Sequence, residues 1–402
     1  MHTIETARFT NNTLSVRALV PLEEKTITAW NVLVWMIRTA TDKWPDRQSF
    51  TEALGEAYAM HVRCGLTGYG SQAALEIVFE WIRPALIQDP DYPGQVREIM
   101  RQVLFHPSLT ESRLEEARFM IRARLLRQQE DPDTAAVLAA LQTAGEGTSL
   151  AVPISGTLEG LETVTLQDVR QLWQQFEIMP KSIYAVGDLE PAMIRFVDSL
   201  AQTEPVMVLH PPVRACRVPR TIKEEREIMQ TSLVQGYATG ITLADPMSPA
   251  LMVLSSILGS GQKSLLFEEI RERNSWCYSI SCSLIRFDGL LLVTAGTRRE
   301  NLEDLQREIG RQIRRLREDD YPQSLFDAAI LDLTDSICAR RDFPGSLIET
   351  AFQQDLLGLH HTDQEQIERL RKVTRRQVQE AACRLQLAVT SIVQEGEVHG
   401  TD

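Results

Sequence analysis

Apolar positions fall along the chain in two repeated passages with the same order of elements. In the first, Leu14 to Leu22 is a strand-length apolar run, and Ala29 to Ile37 is apolar on every side, the pattern of a buried helix. An amphipathic helix over Ser49 to Tyr58 follows, then strands over Met60 to Thr67 and Gln72 to Glu80. In the second, Gln230 to Ala238 is the strand, Pro249 to Leu258 the buried helix and Leu265 to Arg273 the amphipathic one. Trp276 to Leu284 and Gly289 to Gly296 close it as a strand pair. Each half continues with helices, Thr110 to Gln129 and Leu302 to Arg317, and with a late apolar strand, Ser182 to Val186 and Leu387 to Val393.

Strands grouped with helices, without regular βαβ alternation, predict an α+β class. The repeat predicts two homologous αβ domains, each a mainly antiparallel sheet with helices packed on one face. Between the halves, Thr203 to Arg220 holds four prolines and suits neither a helix nor a central strand. The expected division is a first domain over 1–202, a linker over 203–220 and a second domain over 221–402.

Composition narrows the partners. Hydrophobic residues at 43% and charged residues at 24% describe an ordinary folded protein of 402 residues, long enough for two cores. A net charge of -13 without an uncompensated basic cluster argues against nucleic acid and anionic membranes. The arginines at 311, 314, 315 and 317 are flanked by Glu308, Glu318, Asp319 and Asp320 and read as a solvated helix face. Six cysteines without a CxxC pair favour free thiols over a disulfide framework or thiolate zinc site. No secretory leader is visible and no apolar run approaches the roughly 18 residues of a span, so a cytoplasmic location without membrane association is expected.

The segment Ile257 to Ile280 (ILGSGQKSLLFEEIRERNSWCYSI), continued by Gly289 to Asn301 (GLLLVTAGTRREN), resembles the C-terminal domain of pitrilysin-type (inverzincin) metallopeptidases, the family of insulysin and the mitochondrial processing peptidase. That family is built from duplicated αβ domains, so the repeat agrees with the resemblance. Its zinc sits on an H-x-x-E-H helix, with two His and a distal Glu as ligands and the motif Glu activating water. Aligned with that pattern, Asn31 and Trp35 take the His positions and Val34 the water-activating Glu. Glu116 matches the first of two downstream glutamates, although it also reads as an ordinary charge in the first turn of a helix, and Ala123 stands at the third ligand position. The resemblance therefore implies a degenerate zinc motif, no metal or other cofactor, and no peptidase activity.

It also implies what is kept. Arg271 and Tyr278 coincide with the family's Arg and Tyr pair, which reaches the substrate and the oxyanion from the C-terminal domain, and they are the expected substrate-binding residues. Family members of this length assemble as two chains, so the expected role is a non-catalytic subunit. It would close the chamber of a heterodimer with a zinc-bearing homologue, or of a self-assembly, acting on a peptide or small protein. A stand-alone peptide-binding or scaffold protein is the alternative. Asp42 to Tyr58 is similar to the bacterial branch associated with 5-aminopentanol modification of elongation factor P. Elsewhere, His360 and His361 with Asp363 and Glu365 read as a loop, because adjacent side chains diverge; His61 and His106 read as structural; and Gly259-Ser260-Gly261 reads as an inter-helix turn, not a phosphate loop.

Overall fold

Among the described residues, ten strands and fourteen α-helices are laid down in an order that repeats. The computed structural model describes residues 1–200, 202–208, 210–261 and 263–396. The chain runs β1 (His2–Glu5), β2 (Asn11–Pro21), α1 (Glu24–Ile37), α2 (Arg47–Glu56), β3 (His61–Tyr69), β4 (Gln72–Ile82), α3 (Tyr92–Phe105), α4 (Glu111–Glu130), α5 (Pro132–Ala144), α6 (Leu158–Thr163), α7 (Leu166–Ile178), β5 (Ser182–Gly187) and α8 (Pro191–Asp198). It continues with β6 (Arg220–Arg226), β7 (Thr231–Ala238), α9 (Ser248–Ser255), β8 (Cys277–Ile285), β9 (Leu290–Thr297), α10 (Leu302–Arg317), α11 (Gln323–Ala339), α12 (Pro344–Leu357), α13 (Asp363–Arg371), α14 (Arg375–Arg384) and β10 (Gln386–Glu395).

The strands form two five-stranded sheets, ordered β1-β5-β2-β4-β3 and β6-β10-β7-β9-β8, so the duplication extends to topology. Both sheets are mixed: β1 pairs parallel with β5 and β6 parallel with β10, while the other pairs are antiparallel. The sequence pattern missed the two parallel edge strands. HTIE and RTIKEER are largely exposed and polar, with no alternation to betray them.

Helices on one face only is also corrected. Strands β5 and β7 are buried along their whole length, which requires cover on both faces. In the second sheet, Leu233, Leu291 and Val293 join one core with α9, α10 and α14, while Val234, Leu290 and Leu292 pack against Ala136 and Ala140 of α5. In the first, Leu14, Val16 and Ala18 face the core with α1, and the opposite face receives α12.

These second-face helices make the compact units discontinuous, unlike the contiguous division expected from the prolines. One unit comprises 1–126, 152–208 and 340–360; the other comprises 127–151, 209–339 and 361–402. Each sheet is thus covered by a helix encoded in the other half of the chain. The start of α5 is sharply set: Asp131 caps it by accepting from Thr134 N at 2.9 Å, and Pro132 follows at the first helical position, immediately after α4.

Within the first unit, α12 is held to the sheet through a buried arginine. Arg17 on β2 donates to Glu76 of β4 at 2.7 Å and to Glu349 of α12 at 2.9 Å, and its guanidinium lies 4.4 Å from the Phe352 ring. Desolvation works against the charge, but the two carboxylates outweigh it and hold the Arg17 pKa above its ordinary value. Tyr69 completes the cluster by donating to Glu349 at 2.8 Å, and Tyr184 donates to Asp355 of α12 at 2.8 Å. Removing one partner strands buried charge, so Arg17→Ala should cost about 3–5 kcal/mol in chemical denaturation. A loss within experimental error would show that α12 does not depend on this cluster.

Candidate functional site

Helix α1 carries the positions that the resemblance gives to a metal. Residues Ile27 to Ile37 are all buried, because α1 packs against β3, α6 and α7 within the first unit. Asn31 and Trp35, four apart, share one side of the helix. Each meets an arginine from α4. Arg124 donates to the Asn31 side-chain oxygen at 2.9 Å and to the Ser155 carbonyl at 3.1 Å. The Arg113 guanidinium lies 5.4 Å from the Trp35 ring and donates to Thr39 Oγ1 at 2.8 Å.

The Asn31 amide is fully committed, since its nitrogen donates to the carbonyls of Ile27 and Ile154, both at 2.9 Å. Val34 and Ala123 offer no donor atom to a metal, and the Trp35 indole offers no lone pair. A zinc ion does not fit these residues: the face is occupied by a guanidinium, and a second positive charge beside it would be repelled. Glu116 is engaged by Arg113 at 2.5 Å, an i,i+3 pair on the first turns of α4. Among the described residues there is no group of three His, Cys, Asp or Glu that could hold a metal.

The sequence reading inspected position 123 and missed its neighbour. Arg113 and Arg124 are eleven apart, close to three helical turns, so they return to one face of α4; this spacing was the available signal. Burial lowers the Arg124 pKa, and the charge of Arg38 lowers it further.

In the second unit, the segment carrying Arg271 and Tyr278 departs from regular helix. Where α-helices were expected over Pro249 to Leu258 and Leu265 to Arg273, α9 passes into a π-helical stretch at Ser256–Ser260, and a second π-helix spans Phe267–Arg273. Gly259 explains the first. A Cβ there would meet the Cys282 Cβ at 2.7 Å and Leu266 Cδ1 at 3.0 Å, so only glycine lets the helix close on β8. Ser260 Oγ ties the same place, donating to the Cys282 carbonyl at 3.0 Å or to the Ser255 carbonyl at 3.1 Å.

Arg271 projects from the second π-helix with its side chain 46% exposed; its guanidinium stands 4.8 Å from the Phe267 ring and 4.0 Å from Glu272. Tyr278 sits at a bulge, the register passing from Cys277–Thr297 to Ser279–Gly296 and leaving it as the extra residue. It is 56% exposed, and its oxygen accepts from Arg298 Nε at 3.1 Å. Bulges re-aim side chains, and this one turns the phenol out of the ladder. Arg271 and Tyr278 thus lie in one unit with separate partners, while Asn31, Val34, Trp35 and Ala123 lie in the other.

The remaining histidine-rich candidate is structural. Glu365 forms a capping box with Thr362 at the start of α13, which holds its carboxyl pKa below the usual range, and His360 stands 4.0 Å from Asp355.

Residues 182–333 match the family described as the Peptidase M16 inactive domain. The chain is 21% identical over 400 residues to the probable inactive metalloprotease YmfF of Bacillus subtilis, covering 97% of this chain and 94% of that one. It is 23% identical over 215 residues to the non-peptidase homolog YmxG of Helicobacter pylori, 51% of this chain and 47% of the relative. Among solved structures, a conserved protein from Enterococcus faecalis superposes with a TM-score of 0.90 at 22% identity, over 98% of this chain and 96% of that one. A peptidase M16 inactive domain from Pseudomonas fluorescens superposes with a TM-score of 0.80 at 15% identity, over 98% and 95%. These two likenesses establish the fold.

Gly259→Ala should overpack the contact with β8 and destabilise the protein by about 1–3 kcal/mol in urea unfolding. A variant as stable as the parent would contradict the close approach as the reason for glycine.

Proposed function

We propose that this chain, which belongs to the pitrilysin-type (peptidase M16) family as an inactive homologue, serves as the non-catalytic subunit of a heteromeric zinc peptidase and contributes Arg271 and Tyr278 in trans to a zinc-bearing homologue. The observation that carries the reading is a contrast between the two units. Of the positions matched to zinc ligands, Asn31 and Trp35 are buried and each meets an arginine, whereas Arg271 and Tyr278 stand exposed on a segment inside the matched inactive domain.

The chemistry of the pair suits that role. A guanidinium can hold a substrate carbonyl, and the Tyr278 oxygen, already accepting from Arg298, keeps its own hydrogen free to donate to an oxyanion. Neither task needs a metal in the same polypeptide. The partner would be a homologue with an intact H-x-x-E-H helix, and the substrate a peptide or small protein. Among the described residues no helix is long and apolar enough to cross a membrane. The stretch Asp42 to Tyr58, which contains α2, supports placing the chain in the branch linked to elongation factor P modification.

A second reading, a peptide holder that works alone, is favoured by a cavity of about 310 Å3 within the second unit, beside β8. Val137 and Leu138 of α5 line it together with Val234 of β7, Thr294 and Gly296 of β9 and Ser279 of β8. Such a cavity would suit an apolar side chain of a bound peptide.

Affinity purification from the native host should recover a homologue with the intact zinc motif. In the reconstituted pair, Tyr278→Phe should lower the partner's kcat by about 10²–10³, the loss expected for one oxyanion donor, and Arg271→Ala should slow it with assembly intact. Unchanged kinetics in both variants would remove the trans contribution, and peptide binding by the chain alone would then favour the second reading.

A further inference from the structure

Arg271 and Tyr278 stand on different elements, and the residue that joins those elements is Trp276. Its N–H donates to the Ile270 carbonyl at 3.0 Å and closes the second π-helix, the one that carries Arg271. The closing turn passes through Ser275 at a φ of 53°, a left-handed conformation that is costly to a residue with a side chain. The Trp276 carbonyl stands immediately before β8 and the bulge that leaves Tyr278 as the extra residue. That carbonyl is taken by the end of β9. Thr297 Oγ1 donates to it at 2.5 Å, the alternative acceptor, the Arg298 carbonyl, being farther away at 3.3 Å. The Asn301 amide reaches the same Trp276 oxygen only at 3.5 Å. Thr297 is wholly buried and pairs in register with Cys277, the last pair before the bulge.

We propose that Thr297 is a positioning residue for Arg271 and Tyr278, its hydroxyl fixing the Trp276 peptide from which both are presented. A π-turn, a left-handed serine and a bulge follow one another within nine residues, and none of them supports itself: each persists only where its surroundings hold it. Leu266 and Ile270, both fully buried, anchor the helix side of the segment, and the β8–β9 ladder anchors the strand side. Trp276 is the joint between them, so a turn of its peptide would re-aim the guanidinium and the phenol relative to each other. Replacing the hydroxyl by a methyl fills the same space and supplies no hydrogen, which leaves the Trp276 carbonyl with the long Asn301 contact alone. The consequence for catalysis rests on the trans role of Arg271 and Tyr278, whereas the hold on the segment does not.

The test compares Thr297→Val, which deletes the hydroxyl, with Thr297→Ser, which keeps it. Backbone hydrogen exchange of the full chain is followed over the segment from Arg271 to Tyr278, with β7 as the internal control. Thr297→Val should speed exchange in the segment about tenfold, the effect of one lost hydrogen bond, and leave β7 unchanged, while Thr297→Ser restores the parent rate. Thr297→Cys, a weaker donor, covers the case in which Thr297→Val does not fold and should give an intermediate rise. In the pair reconstituted with a zinc-bearing homologue, Thr297→Val should lower kcat about tenfold, and combining it with Tyr278→Phe should slow Tyr278→Phe by no more than about twofold. Exchange equal to the parent, or faster to the same degree in the segment and in β7, would overturn the proposal, and so would losses that multiply in the double variant. Unchanged kinetics in both Arg271→Ala and Tyr278→Phe would remove the trans reading instead, and the exchange pattern would then decide whether Thr297 sets the segment.

Discussion

A guanidinium and a divalent cation cannot share one small buried face, and the functional account of this protein rests on that exclusion. Arg124 reaches across from α4 to the Asn31 amide, and Arg113 lies over Trp35 one turn further along α1. Two residues with the i,i+4 spacing of a ligand pair are thereby each given a positive neighbour. Fixed positive charge thus takes the side of the helix that the resemblance would give to a metal. Side chains without a free metal donor and arginines beside them act in the same direction, because a cation already present penalises a second one.

Around that face the architecture is conservative. Both sheets repeat one strand order, and both are covered on two sides, so their central strands β2 and β7 are buried on both faces, polar positions such as Arg17 and Gln235 included. The second cover comes from helices encoded in the opposite half, α5 over β7 and β10, and α12 over β2 and β5. A sheet finished by a distant part of the chain ties the folding of each unit to sequence beyond its own half. The Arg17 cluster shows the form of that tie: a buried guanidinium on β2, paired with Glu76 of β4, takes its second carboxylate from Glu349 of α12.

Much of the fold was legible because burial writes itself into periodicity. Strands β2, β4, β7 and β9 and helix α1 were readable from apolar runs, and the duplication from their order. The features that escaped lack such a signature. Strands β1 and β6 are short, largely polar and exposed segments at sheet edges, and α5 is alanine-rich with little amphipathic contrast, so nothing marked it as cover for a distant sheet. The π-helical stretches depend on a contact, Gly259 against Cys282, that only tertiary structure creates. At the candidate site the sequence shows that Val34, Trp35 and Ala123 offer no metal donor, and the eleven-residue spacing of Arg113 and Arg124 puts both on one face of α4, but which residues of α1 they reach is set by how the two helices pack.

Zinc stoichiometry tests the central claim most directly. The chain is expressed in zinc-supplemented medium, purified without chelator, and examined by native mass spectrometry alongside elemental analysis. The account predicts the mass of the bare polypeptide and no stoichiometric zinc, together with no cleavage of a peptide library by the isolated chain. One tightly held zinc per chain, lost together with a metal-dependent peptidase activity, would contradict it.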